Sequence, residues 1–318
     1  MNQRLTRRRF GQLAIAGTAA GAIALLASKT FAQVSIVFVG VRPGSPSANN
    51  ADTNLDSSTV DSTDDAASTT AASTAQELVR QSLDVGTQVV GPLATPQVLQ
   101  DGTTPILQSD EELSGFTSLA DGTLVLAITH VGTSNKGDTP TRLTFLRTSP
   151  TAVTVSGLTK QEKLESLVGT NDGRLLGLVV KKNGTPPAKL VNIDVNTGAI
   201  SNNNDFTLPS NVRYSNLAQC PPPDGKIYMT AVDRQGATSL VQLDPEQKKP
   251  ITLAQLNVNG TVWNNGLQSL ACSAAGQLFA FGALRYQLPN NLYLLDPKTG
   301  AMTQPIPFDV AKVTLSLR

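Results

Sequence analysis

Residues 164–180 read Leu-Glu-Ser-Leu-Val-Gly-Thr-Asn-Asp-Gly-Arg-Leu-Leu-Gly-Leu-Val-Val. One apolar run ends at Asp172-Gly173 and a second leaves it. Asp-Gly between two such runs signals a hairpin, because the tight turn needs positive φ at its central positions. The unit recurs. A first strand of apolar-Ser/Asn-Leu type is read at Phe116-Thr-Ser-Leu119, Leu164-Glu-Ser-Leu167, Tyr214-Ser-Asn-Leu217 and Leu267-Gln-Ser-Leu270. The turns are Asp121-Gly122, Asp172-Gly173, Asp224-Gly225 and Ala275-Gly276, with glycines 51, 52 and 51 residues apart.

Second strands follow at Thr123 to Val131, Arg174 to Val180, Lys226 to Val232 and Gln277 to Gly282. Third strands lie at 143–146, 190–193, 240–243 and 292–295, and three of them run into Asp turns at Asp194, Asp244 and Asp296. A fourth strand completes each unit. Four antiparallel strands per period of about 50 residues describe a blade, so the expected fold is an all-β propeller.

The ends of the chain extend this reading. Val313 to Leu317 resembles a first strand with nothing after it, and residues 98–107 resemble the last two strands of a blade with no beginning. With Val34 to Val41 as second strand, these pieces make a fifth blade closed by the C-terminal strand. The alternative is four blades plus an accessory hairpin. The expected divisions are 1–32 leader, 33–41 strand, 42–77 insert and 78–318 propeller. In the insert, residues 42–75 are mostly Ser, Thr, Ala, Asp and Asn and are expected to be disordered, for want of apolar surface to offset ordering entropy. Thr74-x-x-Glu77 has the form of a capping box, which predicts a short helix through about Leu83.

The leader carries Arg4, Arg7, Arg8, Arg9 and Lys29, then a 15-residue apolar run, Leu13 to Ala27, and Thr30-Phe31-Ala32 before the expected cut. This is secretory anatomy. Arg7-Arg8-x-Phe10 resembles twin-arginine signal peptides, and the resemblance implies export in the folded state through the twin-arginine translocase, to the periplasm or otherwise outside the cytoplasm. An uncut anchor and the general secretory route are the alternatives. Without residues 1–32 the chain has 20 basic and 24 acidic residues, a net −4. A mildly acidic body with no basic stripe argues against nucleic acid as a partner.

Leu292-Tyr-Leu-Leu-Asp-Pro-Lys-Thr-Gly300 resembles the strand-turn unit of YVTN-type and quinoprotein-like propellers. The resemblance is local and implies no quinone; no cofactor, metal site or catalytic residue is expected. His130, the sole histidine, reads as a rim residue, and Cys220 and Cys272 as buried free thiols. The recurring Asp194, Asp244 and Asp296 read as scaffold. Glu165 reads as the only acid near a first strand, too few for a paired-carboxylate hydrolase. Ser118, Ser166, Asn216, Ser269 and Ser316 read as small residues where blades converge, with a polar ligand lining as the alternative. The non-periodic Arg213, Tyr214, Trp263, Arg285 and Tyr286 are the expected ligand contacts. They fall in or beside the fourth-to-first and second-to-third loops, which share one face of a propeller, and are of hot-spot type. The expected function is an exported non-catalytic binding or scaffold protein of the cell envelope, with a protein or carbohydrate partner. An exported hydrolase or lactonase acting at the propeller mouth is the alternative, and a redox protein a third.

Overall fold

The computed structural model describes residues 35–43, 76–130, 141–308 and 310–315, except 183, 224, 245–248, 265 and 284–289. Every regular element among them is a β-strand. The first stretch gives β1 (Ser35–Pro43), β2 (Gln76–Asp84), β3 (Val89–Pro92) and β4 (Gln97–Val98), then a hairpin of β5 (Gln100–Asp101) and β6 (Thr104–Pro105). Three four-stranded antiparallel sheets follow. They are β7 (Glu111–Ser118), β8 (Leu124–His130), β9 (Arg142–Leu146) and β10 (Thr151–Thr154); β11 (Glu162–Gly169), β12 (Leu175–Lys181), β13 (Lys189–Ile193) and β14 (Ile200–Thr207); and β15 (Arg213–Gln219), β16 (Ile227–Val232), β17 (Thr238–Asp244) and β18 (Lys249–Gln255). A small ribbon, β19 (Asn257–Val258) and β20 (Thr261–Val262), leads to the fourth repeat. That repeat comprises β21 (Ser269–Cys272), β22 (Leu278–Gly282) and β23 (Asn291–Leu295), with β24 (Ala301–Met302) and β25 (Ile306–Pro307) both paired to β23. The last strand is β26 (Lys312–Leu315).

The four repeats form a propeller-like arrangement of four blades. Their first strands β7, β11, β15 and β21 lie side by side, and β26 packs against both β21 and β7. Strands β26, β1, β2 and β3 make one sheet in that order, with β4 also on β2. Phe38 to Val41 pair with Leu315 to Lys312. A blade has neighbours on both faces, so its second strand must be buried throughout. All of Leu124 to Thr129 and all of Ile227 to Val232 are buried accordingly. Outer strands such as β18 are largely exposed. Core clusters fill the spaces between successive sheets. The sheet shared by the two chain ends packs Phe38 and Val313 against Phe279, Phe281 and Phe308 on one side. On the other it packs Val39, Val41 and Leu78 against Phe116, Leu126 and Ile128.

Several expectations are corrected. Residues 76–84 are strand β2, not helix, paired along their whole length with β1 from Ser35↔Asp84 to Pro43↔Gln76. The cross-strand ion pair Arg42–Glu77, 2.9 Å, fastens the two ends of the insert. The insert's interior, 44–75, lies outside the described residues. Residues 98–107 do not supply outer strands of that sheet beyond β4; β5 and β6 pair only with each other. Cys220 and Cys272 are a disulfide, not free thiols, because they end neighbouring first strands with Cα atoms 5.1 Å apart.

The first-strand alignment also shifts. A bulge falls between Leu113 and Gly115 in β7 and between Leu164 and Ser166 in β11. Gly115, not Ser118, therefore occupies the position of Ser166. These small residues do more than fit. The Ser166 hydroxyl accepts from Leu217 N (2.8 Å), the Asn216 amide donates to Leu267 O (2.9 Å), and Ser269 Oγ accepts from Val313 N (3.2 Å). Adjacent first strands share no ladder, so these bonds join blade to blade. By the same alignment Lys312 takes the small-residue position on β26; Ser316 lies outside the described residues.

The Asp-turn glycines make a second kind of joint. A Cβ on Gly300 would collide with the Gln255 carbonyl of the preceding blade, and Gly300 O accepts from Asn257 N at 2.9 Å. Gly276 has a similar φ, +77° against +70°, but nothing within 4 Å of its missing Cβ. Gly276→Ala should therefore cost about 1–2 kcal/mol, the price of a left-handed alanine. Gly300→Ala should cost clearly more, since the blades must also part. Thermal unfolding of the two variants checks this; equal losses would show that the joint carries no strain.

Candidate functional site

The first strands all begin at one end of the channel they surround. Glu112 stands at the start of β7, Lys163 and Glu165 at the start of β11, Arg213 at the start of β15 and Lys312 at the start of β26. The second-to-third loops reach the same end: Gly184 of the β12–β13 loop lies against Arg213 Cδ, which is 3.6 Å from where a Cβ on that glycine would be. Lys163 Nζ lies 2.6 Å from Glu112 Oε1 and 3.5 Å from Glu165 Oε2. Its ammonium thus bridges two strands. Burial opposes the Lys163 charge, but the hydrogen bond to Glu112 and the field of Glu165 outweigh it and hold its pKa above the ordinary lysine value.

Lys312 is different. Its Nζ donates to Gln268 O at 3.0 Å. Burial pushes its pKa below the ordinary value; Lys163 adds to the fall, and Glu165 and Glu112 only partly offset it. Glu112, Lys163 and Glu165 thus form one ion-paired group where β7 and β11 begin, and Lys312 begins β26 at the same end. The expectation that Glu165 is the only acid near a first strand is corrected: β7 and β11 begin earlier than the Ser-Leu pattern suggested, which brings Glu112 beside it.

Two neighbouring acids belong to the scaffold. Glu111 accepts from Arg142 Nη2 (2.6 Å) and Gln108 N (2.9 Å), and Glu162 from Lys189 (2.7 Å) and Thr159 N (3.0 Å). Each ties the incoming fourth-to-first loop to a third strand. Burial alone would raise the Glu162 pKa, but Lys189 and the Thr159 N–H lower it overall. Asp194 accepts from Asn196 N and Thr197 N, and these backbone donors hold its carboxyl below the usual range. Asp296 repeats the turn with Lys298 N and Thr299 Oγ1. His130 ends β8 with Nδ1 3.1 Å from Asp110 Oδ2. Among the described residues no three His, Cys, Asp or Glu side chains gather to hold a metal ion.

The opposite end of the channel opens into a cavity of about 90 Å³, lined by Thr117, Ser118, Gly169, Gln219, Cys272 and Thr314 among others. Its amides are engaged: the Asn171 side chain donates to Cys220 O, and Gln219 Oε1 accepts from Asn171 N.

The residues expected as ligand contacts fare unevenly. Arg213 is exposed at the charged mouth. Tyr214 is buried in the cluster between the second and third blades, and burial raises its phenol pKa. Trp263 is fully buried, donates from Nε1 to Gly266 O at 2.6 Å and meets Tyr293 edge-on at 5.3 Å. Both aromatics pack the core. Arg285 and Tyr286 lie outside the described residues. Sequence reasoning missed Glu112, Lys163 and Lys312.

No family model matches the chain, and no curated protein matches it. Solved structures resemble it in chain course. A Bacteroides caccae protein of unknown function matches at 9% identity and TM-score 0.41, covering 76% of this chain and 94% of its own. AofleA from Arthrobotrys oligospora matches at 11% and 0.43, over 74% and 67%. A GH43_1 enzyme from Xanthomonas citri matches at 10% and 0.43, over 63% and 75%. At such identity the likeness concerns the path of the backbone alone.

Proposed function

We propose that this chain is an exported, non-catalytic binding protein of the cell envelope, a five-bladed propeller that holds its ligand at the charged axial mouth. The observation that carries the reading is the Glu112–Lys163–Glu165–Lys312 cluster. Glu112, Lys163 and Glu165 meet where β7 and β11 begin, and Lys312 begins β26 at the same end. Both carboxylates approach Lys163, an arrangement suited to holding a polar ligand in place.

The finer architectural claim rests on β26. It lies between β21 and β7 and pairs with β1, as a fifth first strand would. The compartment is supported by the Arg7-Arg8 leader and by the Cys220–Cys272 disulfide, since disulfides persist in oxidising compartments. Replacing Arg7 and Arg8 by Lys should leave precursor in the cytoplasm, while the parent appears outside it beginning at Gln33. Fractionation with mass spectrometry reads both. Unchanged export of the double variant would remove the twin-arginine route and leave export standing. A panel of chromogenic lactones, esters and glycosides tests the non-catalytic part. Turnover that disappears in Glu165→Gln would replace the binding reading with a hydrolase.

A further inference from the structure

We propose that the cavity where the first strands end is a second binding site, and that it takes the uncharged acetamido group of an N-acetylated molecule. The inference goes beyond the reading above. It concerns the mouth opposite the charged one and does not depend on it.

The direction of the backbone comes first. Leu119 N donates to Thr123 O at 2.8 Å, Cys220 N to Lys226 O at 2.9 Å and Ser273 N to Gln277 O at 2.8 Å. Each bond continues the ladder between a first strand and the second strand of the same blade. In an antiparallel pair, successive residues point their N–H and C=O to opposite edges. Ser118, Gln219 and Cys272, each one residue earlier, therefore turn theirs away from their own second strands, toward the inner edge. All three residues line the cavity. Gly169 holds the same place on β11, and its N–H is taken by Thr117 Oγ1 at 2.9 Å. The N–H groups of Ser118, Gln219 and Cys272 have no acceptor among the described residues. The Thr314 hydroxyl of β26, a donor and an acceptor at once, lines the same space. The wall thus calls for a guest that both accepts and donates.

Charge and size then select the class. Among the described residues no lining side chain is charged, so an ion would shed its hydration without meeting a counter-charge, which is costly. Much of the remaining wall is apolar, with Leu167, Leu217, Leu270 and Ala271. A cavity of about 150 Å³ takes benzene, which has six heavy atoms. On that scale a cavity of about 90 Å³ holds roughly four. An acetamido group has four heavy atoms: its methyl and carbonyl carbons, its oxygen and its nitrogen. The methyl covers the leucine wall, the oxygen accepts from the inner N–H groups, and the N–H donates to Thr314 Oγ1 or an inner carbonyl. A hydroxyl would leave the apolar wall uncovered, and a carboxylate would bring a charge. The rest of the ligand stays outside, so an amino sugar and an acylated amino acid present the same group.

The test is a titration of the full mature protein, followed through its assigned backbone amide signals in proton–nitrogen correlation spectra. N-acetylglucosamine and N-acetylalanine methyl ester are the two probes. Glucose, glucosamine and alanine methyl ester lack the acetyl group and serve as controls. At least one probe should move the Ser118, Gln219 and Cys272 signals saturably, and the controls should not. The tighter probe names the source, sugar or peptide. Ala274 is exposed on the cavity rim, and Ala274→Trp should weaken binding at least tenfold by blocking it. Thr314→Val should weaken it at least threefold. Thermal unfolding confirms that both variants are folded, and Thr314→Val decides if Ala274→Trp is not. The proposal is overturned if neither probe moves those signals, if a control moves them equally, or if the folded variants bind unchanged. Shifts confined to Lys163 and Arg213 would overturn it too, while supporting the charged mouth as the binding site.

Discussion

Cutting the chain after Asp309 should abolish the cooperative fold or lower the thermal midpoint by more than about 10 °C. The cut removes Val310, Val313 and Leu315, which are 4%, 2% and 5% exposed. Burial of an aliphatic side chain is worth about 1.5–3 kcal/mol, so the three together reach about 5–9 kcal/mol. A domain's net stability is only about 5–15 kcal/mol. Specific contacts go as well. Val310 presses on Gly40, its Cγ1 2.6 Å from where a Cβ there would lie. Asn290 Nδ2 donates to Val310 O at 2.8 Å, Ala311 N to Val41 O at 2.7 Å and Val313 N to Ser269 Oγ at 3.2 Å. Strand β1 would keep β2 but lose β26 from its other edge and expose a row of backbone groups there, a template for aggregation. For a chain of this size each kcal/mol moves the midpoint by roughly 2–4 °C, which sets the expected drop. Circular dichroism melting of the truncated and full chains measures it. A midpoint within a degree or two of the parent would show β26 to be dispensable and end the five-bladed reading in favour of four blades with an accessory sheet.

The repeat was legible because its signals are local. Asp-Gly turns, apolar second strands and the Asp-x-x-Thr-Gly turn each declare themselves within ten residues. What failed was non-local. Thr74-x-x-Glu77 with Leu78, Val79 and Leu83 fits a helix start taken alone, but β1, more than thirty residues upstream, offers a nine-residue ladder that overrides the local preference. The Ser-Leu pattern misaligned blade one because Phe116-Thr-Ser-Leu119 repeats the motif three residues late, while the equivalent bulges before Gly115 and Ser166 set the true register. Aligned by the turns instead, β7 begins at Glu111 and Glu112 appears at the mouth. Lys312 carried a usable signal, a long cation where the equivalent strands place Ser166, Asn216 and Ser269, but it shows only once that alignment is corrected. Trp263 misled because residue type was weighed without burial. A tryptophan in a loop of a small-residue protein looks like a ligand platform, and here its ring fills the core beneath β23.

Replacing Cys220 and Cys272 by Ser should cost about 4 kcal/mol and lower the midpoint by roughly 8–16 °C, yet leave a folded protein. The bond closes a separation of 52 residues, and its loss restores that freedom to the unfolded chain. It joins the ends of β15 and β21, where neighbouring blades otherwise meet through single bonds such as Asn216 to Leu267 O. Both cysteines are buried, 3% and 7% exposed, so reductant should open the bond slowly in the native state and quickly in denaturant. On the twin-arginine reading the chain folds in a reducing cytoplasm before it crosses the membrane, so the dithiol form must already hold together. Joints that need no oxidation supply that stability: the serine and asparagine bonds between first strands, and Gly300 against the preceding blade. The double serine variant should therefore melt cooperatively above growth temperature and still leave the cytoplasm. If it is unfolded at the growth temperature while the parent is exported, the result favours the general secretory route, with the disulfide forming as the blades assemble outside.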